Sequence, residues 1–138
     1  MKFRERLKHC MKKCFTRLLS LMLLASCPIY AGALPAGAQA IITKVHLAAK
    51  QKNTQALKKL MVSEFIWSFG GDRDATQAIQ AWQADQHVLA ALAQVTSQPC
   101  VKIDQNAIEC PRNARAGYRA GFKKTPEGWR MEYFVEGD

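Results

Sequence analysis

Gly128-Trp129-Arg130-Met131-Glu132-Tyr133-Phe134-Val135, close to the C-terminus, is the stretch of sequence that decides the fold. Alternation along it predicts a β-strand with two distinct faces. One face would carry Trp129, Met131, Tyr133 and Val135, and the other Arg130, Glu132 and Phe134. The preceding Thr125-Pro126-Glu127-Gly128 has Pro and Gly where a tight turn favours them, which pairs this strand with one predicted over 117–123.

A second hairpin is predicted around a pair of cysteines. Val101-Lys102-Ile103 and Ala107-Ile108-Glu109 are typical of short strands joined by a three-residue loop. That loop length places Cys100 directly opposite Cys110, where two antiparallel strands bring Cβ atoms close enough to bridge. We therefore expect a Cys100–Cys110 disulfide.

Helical patterns precede these strands. Apolar residues recur at helical spacing in four stretches between residues 41 and 96, interrupted by an aromatic strand, 65–69, that stops at Gly70-Gly71. Residues that favour the N-cap position open three of the helices: Asn53 or Thr54, Asp72 or Asp74, and Asp85. Helices followed by antiparallel strands predict an α+β fold with N-terminal helices packed on an antiparallel sheet.

The first forty residues are typical of an export signal. Seven Lys/Arg against one acid are followed by the apolar run Leu18–Ala25 and then by small residues. The run is shorter than the roughly 20 residues of a transmembrane helix. We assign 1–33 to a signal peptide with cleavage after Ala33, or as late as Ala40, 34–40 to a flexible segment and 41–138 to a single domain. The expected location is the periplasm.

Two alternatives at the N-terminus stay open. Leu24-Ala25-Ser26-Cys27 resembles a bacterial lipobox, in which Cys27 would be acylated and the protein would be a membrane-anchored lipoprotein. Met11-Lys12-Lys13 resembles an ordinary signal-peptide start, so translation could begin at Met11 rather than Met1.

Charge and length restrict the class of protein. The chain carries a formal net charge of +9, but the residues after 40 hold 13 Lys/Arg against 10 acids, a net +3. This removes the main support for a nucleic-acid partner. The 98 residues that remain after position 40 suffice for one domain.

Several segments resemble nuclear transport factor 2-like (SnoaL-like) domains, in particular small exported bacterial members. The segments are a helix with repeated Leu, an aromatic strand, a Gly-rich turn, a helix with Ala and Trp, and a final strand similar to the family's Gly-x-Trp strand: 53–61, 65–67, Gly70-Gly71, 78–82 and 128–135. The resemblance covers about two thirds of the domain. It implies a cone-like α+β fold whose curved sheet wraps helices, and it implies no particular reaction, because such domains include enzymes and plain binders.

Three functions are compatible with these residues. The first is a non-enzymatic periplasmic module that holds a small apolar ligand or an envelope protein on its sheet, with a homodimer as one arrangement. The candidate binding residues are Trp67, Tyr118, Trp129 and Tyr133. The second is a small isomerase or hydrolase with an Asp base in the cone, for which Asp72 is the candidate. The third is an envelope inhibitor or immunity-type protein.

We expect no metal and no cofactor. The residues that could ligate zinc are Cys100, Cys110, His46 and His87, and their spacing is not that of a zinc site. A buried carboxylate facing a cavity would favour the enzyme, whereas a cone filled by Trp and Phe would favour the binding module.

Overall fold

The computed structural model describes residues 32–71, 73–115 and 117–137. Most of the predicted signal peptide, with Cys27, and the candidate base Asp72 lie outside the described residues. Within them are four helices: α1 (Ala36–Lys50), α2 (Thr54–Leu60), α3 (Ala75–Ala84) and α4 (Gln86–Thr96). The strands are β1 (Met61–Ile66), β2 (Val101–Lys102), β3 (Ala107–Cys110), β4 (Gly117–Thr125) and β5 (Gly128–Gly137).

The five strands form a single curved, unclosed sheet in the order β1-β5-β4-β3-β2. The helices pack on it, so the predicted α+β class is confirmed. The pairs β2–β3, β3–β4 and β4–β5 are antiparallel, as predicted. β1 differs, because it lies at the edge beside β5 and runs parallel to it. The sheet is therefore mixed, and the expectation of a wholly antiparallel sheet is corrected for this one strand.

The alternation predicted for β5 is interrupted by a β-bulge at Glu132. Gly121 pairs with Tyr133 and Phe122 with Met131, which leaves Glu132 without a partner on β4. Trp129 and Met131 share one face, as predicted, and this face packs against the core; beyond the bulge the residue on that face is Phe134, which pairs with the buried Ala120. The assignment of Tyr133 and Val135 to the face of Met131, and of Phe134 to the opposite face, is therefore wrong.

The helix starts agree with the predicted caps. Asn53 Oδ1 accepts from the backbone N–H of Ala56, and Asp85 Oδ1 accepts from that of His87. The sequence offered either Asp72 or Asp74 as the N-cap of the third helix, and in the structure Asp74 caps α3. None of the helices in the described part of the chain is both long and apolar enough to cross a membrane.

Several boundaries differ from the predicted ones, among them that of the aromatic strand predicted over 65–69, which ends at Ile66. α1 begins at Ala36, so residues 36–40, which the sequence assigned to a flexible segment, form helix, and Ala38 is fully buried. Met61 was predicted at the end of the second helix, but it is the first residue of β1, because its backbone pairs with Met131. Pairing with a neighbouring strand outweighs the helical spacing of Leu57, Leu60 and Met61.

A row of four aromatic rings fills the space between the helices and the sheet. Trp82 on α3 meets Phe65 and Phe134 edge to face, at ring-centroid distances of 5.6 and 5.8 Å. Phe134 in turn stacks on Tyr118, with centroids 5.0 Å apart. We call Phe65, Trp82, Phe134 and Tyr118 the aromatic row. It joins β1, α3, β5 and β4, and it places Tyr118 at its outer end.

The predicted disulfide is present. Cys100 and Cys110 are bonded, with Cα atoms 4.3 Å apart. The predicted register is confirmed, because Lys102 pairs with Ile108. The bond lies at the start of the segment 111–115, whose Arg112 N–H also donates to the Pro99 carbonyl at 2.7 Å. Both contacts hold this segment against the end of α4.

Candidate functional site

An open cleft lies where the aromatic row reaches the surface. Its volume is about 300 Å³, and we call it the Trp67 cleft. It is lined by the residues that follow β1, by α4, and by neighbouring ends of β4 and β5: Trp67, Ser68, Phe69, Val88, Tyr118, Phe134, Val135 and Glu136. Two of the four predicted binding residues, Trp67 and Tyr118, are thus brought together.

Trp67 has an unmet hydrogen-bond donor. Its Nε1 is shielded from solvent and has no acceptor among the described residues. A buried indole N–H normally finds an acceptor, because leaving it unpaired costs on the order of 1–3 kcal/mol. Trp67 therefore holds a buried donor that no described residue satisfies.

Tyr118 places a hydroxyl beside an acidic rim. Burial raises the pKa of the Tyr118 phenol, and the negative charges of Glu136 and Asp85 raise it further. A hydrogen bond to Glu136 contributes in the same direction, so the phenol keeps its proton at neutral pH. The rim also carries Phe69, whose side chain is 74% exposed. An exposed aromatic side chain at the edge of an apolar cleft favours ligand contact.

A second cavity of about 360 Å³ adjoins the cleft, and Tyr118 lines both. Its lining is mostly polar, with three side-chain amides and one guanidinium, and we call it the amide cavity. It is lined by α4, the residues after it and the segment held by the disulfide: Ala91, Gln94, Val95, Gln98, Pro111, Asn113, Ala114, Arg115, Gly117 and Tyr118.

The other two predicted binding residues lie elsewhere. Trp129 is buried beside the first turn of α1, where a Cβ added to Gly37 would lie 3.1 Å from the indole Cδ1. Tyr133 lies on the sheet face opposite the helices, in one cross-strand row with Gly121 and Glu109. Its ring covers Gly121 so closely that no larger residue fits there without moving the ring.

Sequence reasoning missed most of the cleft lining. Phe134 was assigned to the wrong face because the bulge at Glu132 leaves no signal in the alternation. Val88 was correctly placed on a helix face, but a helix face does not reveal which of its residues borders a cavity. Phe69 was predicted to end a strand, and its exposure depends on the turn that follows.

Tyr133 should make the protein lose stability at alkaline pH. Its hydroxyl donates to Glu109 Oε2 at 2.5 Å. Burial, followed by this hydrogen bond and the Glu109 charge, raises the pKa of Tyr133 well above its usual range. The unfolded chain releases this proton near pH 10 and the folded chain at higher pH, so the contribution is complete below about pH 10 and is lost above it.

Urea unfolding measured at a series of pH values checks this expectation. The decline in stability above about pH 10 should be less steep in Tyr133→Phe, which cannot ionise. Glu109→Gln keeps a hydrogen-bond partner but removes the charge, so it should give an intermediate slope. Identical slopes in all three proteins would contradict the assignment.

The carboxylates in the described residues do not provide a buried base. Asp74 Oδ1 accepts from the backbone N–H groups of Gln77 and Thr76, which hold the pKa of Asp74 below its usual range. Among the described residues, Thr96 is the one polar residue that is buried, and it carries no carboxylate. Across residues 32–71, 73–115 and 117–137 no three His, Cys, Asp or Glu are grouped so that they could hold a metal ion.

Among known proteins, the chain is similar to solved structures. No protein-family model matches the chain, and no curated protein matches it. A Shewanella frigidimarina protein provisionally described as a ketosteroid isomerase is 11% identical, with a TM-score of 0.47, over 74% of this chain and 95% of that one.

Two further structures carry the name of the family that the sequence resembles. An NTF2-like protein with a cystatin-like fold from Novosphingobium aromaticivorans is 17% identical, with a TM-score of 0.43, over 70% of this chain and 76% of that one. An NTF-2 like protein of unknown function from Shewanella oneidensis MR-1 is 9% identical, with a TM-score of 0.46, over 72% of this chain and 94% of that one. At these identities the likeness concerns the fold and carries no statement about activity.

Proposed function

We propose that the chain is an exported, non-enzymatic binding module that holds a small apolar ligand in the Trp67 cleft. The observation that carries this proposal is the position of the aromatic row. Trp82, Phe65 and Phe134 fill the space under the sheet, and the row opens to solvent only at Tyr118, beside Trp67. Apolar lining with a few polar groups is typical of small-molecule sites.

The distribution of carboxylates favours binding over an enzyme with an Asp base. Among the described residues, Glu136 is the carboxylate that lines the cleft, and it is exposed. An exposed carboxylate lacks the desolvation that tunes a general base toward neutral pH. The interior is occupied by aromatic side chains, which is the arrangement that the sequence analysis associated with a binding module.

Export with cleavage after Ala33 is supported by the start of α1. A cut after Ala40 would remove the first turn of α1, with the buried Ala38 and the residue that packs on Trp129, Gly37. A cut after Ala33 leaves that turn intact. We expect protein purified from the cell envelope to have an intact mass that begins at Leu34. A mass beginning at Cys27 with acyl chains would replace this part of the proposal by a lipoprotein.

Binding is tested with the neutral fluorescent probe N-phenyl-1-naphthylamine. Its emission should rise on addition of the mature protein, and Trp67→Ala should weaken its affinity by about tenfold or more, as expected for a central aromatic contact. Ile103→Ala is the matched control, because Ile103 is also an apolar side chain, 59% exposed, and is absent from the cleft lining. Equal affinities for wild type and Trp67→Ala would refute the site.

A second variant separates loss of binding from loss of folding. Val88→Phe adds volume to the cleft wall without removing a side chain from the core. It should also weaken probe binding while the urea unfolding midpoint stays close to that of wild type. Retained affinity in Val88→Phe would count against the cleft as the binding site.

A further inference from the structure

The Trp67 cleft and the amide cavity have a common wall. Val88 lines the cleft, and Ala91 and Val95 line the amide cavity, at helical spacing along one face of α4. Seven residues of helix span about 10 Å. Tyr118 stands at the junction and borders both. The two cavities therefore adjoin at Tyr118 along one face of α4, and we call the pair the α4 groove.

The two ends of this groove differ in chemistry. The Trp67 end is aromatic and includes one carboxylate in its described lining, that of Glu136. The opposite end presents the amides of Gln94, Gln98 and Asn113, and the guanidinium of Arg115. Among the described residues, Lys123 and Glu132 form a salt bridge. None of the described carboxylates forms a salt bridge with Arg115.

We infer that the ligand is an apolar monocarboxylate, bound with its body in the Trp67 cleft and its carboxylate at Arg115. This inference rests on the proposed function. Guanidinium presents paired N–H donors that match a carboxylate, and charge-assisted hydrogen bonds of this kind are about twice as strong as neutral ones. The amides of Gln94 and Asn113 add neutral donors around the same position.

Charge also sets the orientation of the ligand. A carboxylate at the Trp67 end would lie near Glu136, where like charge disfavours it. Glu136 does not oppose an uncharged hydrocarbon or aromatic body. The head group is therefore directed to the end that holds Arg115, and the protonated hydroxyl of Tyr118 lies between the two parts of the ligand.

The test compares three ligands that share a ten-carbon chain: decanoate, decanol and decyltrimethylammonium. Each is titrated against the bound naphthylamine probe, below the concentration at which it forms micelles, and decanoate binding is also measured directly by calorimetry. We expect decanoate to bind about tenfold more tightly than decanol, the effect of one charge-assisted contact. Decyltrimethylammonium should not bind better than decanol.

Two variants, each of which removes one positive charge, test where the carboxylate of the ligand binds. Arg115→Gln should remove the preference for decanoate while leaving decanol affinity within about twofold. Lys102→Gln is the control, because it removes one positive charge from an exposed position on β2 and should leave the preference intact. Both side chains are exposed, so neither change removes core packing.

The results distinguish failure of this inference from failure of the proposed function. Probe binding that depends on Trp67, with decanoate and decanol equal or with the cationic amphiphile preferred, would overturn the anion assignment alone. A decanoate preference that survives Arg115→Gln would also overturn it. No binding of the probe, and no decanoate binding by calorimetry, would overturn both.

Discussion

Trp82→Ala should lower the free energy of unfolding by about 3–5 kcal/mol, which is the range for removal of a large buried aromatic side chain. Trp82 is 3% exposed and makes edge-to-face contacts with Phe65 on β1 and Phe134 on β5. Its loss leaves a cavity where α3, β1 and β5 meet. Because these elements are fixed by packing, they can close only part of the space.

Urea unfolding followed by circular dichroism measures this effect. Gln80→Ala is the control, since Gln80 is exposed on the same helix and its replacement should change stability by less than about 0.5 kcal/mol. A loss below about 1 kcal/mol for Trp82→Ala would mean that the aromatic row does not hold the helices on the sheet.

Removing the Cys100–Cys110 bond should cost about 2–3 kcal/mol. The bond closes a short loop, because its two cysteines are ten positions apart in sequence, and the loss of chain entropy in the unfolded state grows with loop length. The double variant Cys100→Ala with Cys110→Ala should therefore unfold at lower urea concentration. Reduction of the wild-type protein should have a similar effect.

Reductant provides the control for this experiment. The urea unfolding midpoint of the double variant should not change on addition of dithiothreitol. The midpoint of wild type should fall toward that of the double variant. The affinity of Arg115-dependent ligands should fall with the same treatment, because the bond anchors the segment that carries Arg115. If the wild-type midpoint does not move on full reduction, the stabilising role of the bond is contradicted.

Local rules accounted for the elements that depend on near neighbours in sequence. The register of the cysteine hairpin follows from its loop length alone, and it places Cys100 opposite Cys110 as predicted. The caps at Asn53 and Asp85 follow from side chains that accept backbone N–H groups two or three residues ahead. The α+β class follows from the order of these elements.

Features that depend on distant parts of the chain could not be predicted in this way. The parallel pairing of β1 with β5 joins segments that are distant in the sequence. Because of this pairing, Met61 belongs to a strand and not to the helix predicted for it. The cleft brings Trp67 next to Tyr118, whereas Trp129 and Tyr133 carry the same kind of side chain and lie elsewhere. Aromatic character alone does not distinguish a core residue from a residue at a site.

The bulge at Glu132 also matters for sequence alignment. A relative with a regular final strand would have one residue fewer between the positions equivalent to Met131 and Tyr133. An ungapped alignment would then match Phe134 with a position on the outer face and Tyr133 with a position in the core. A single-residue gap placed at Glu132 restores the correspondence, so that inward-facing residues are compared with inward-facing residues.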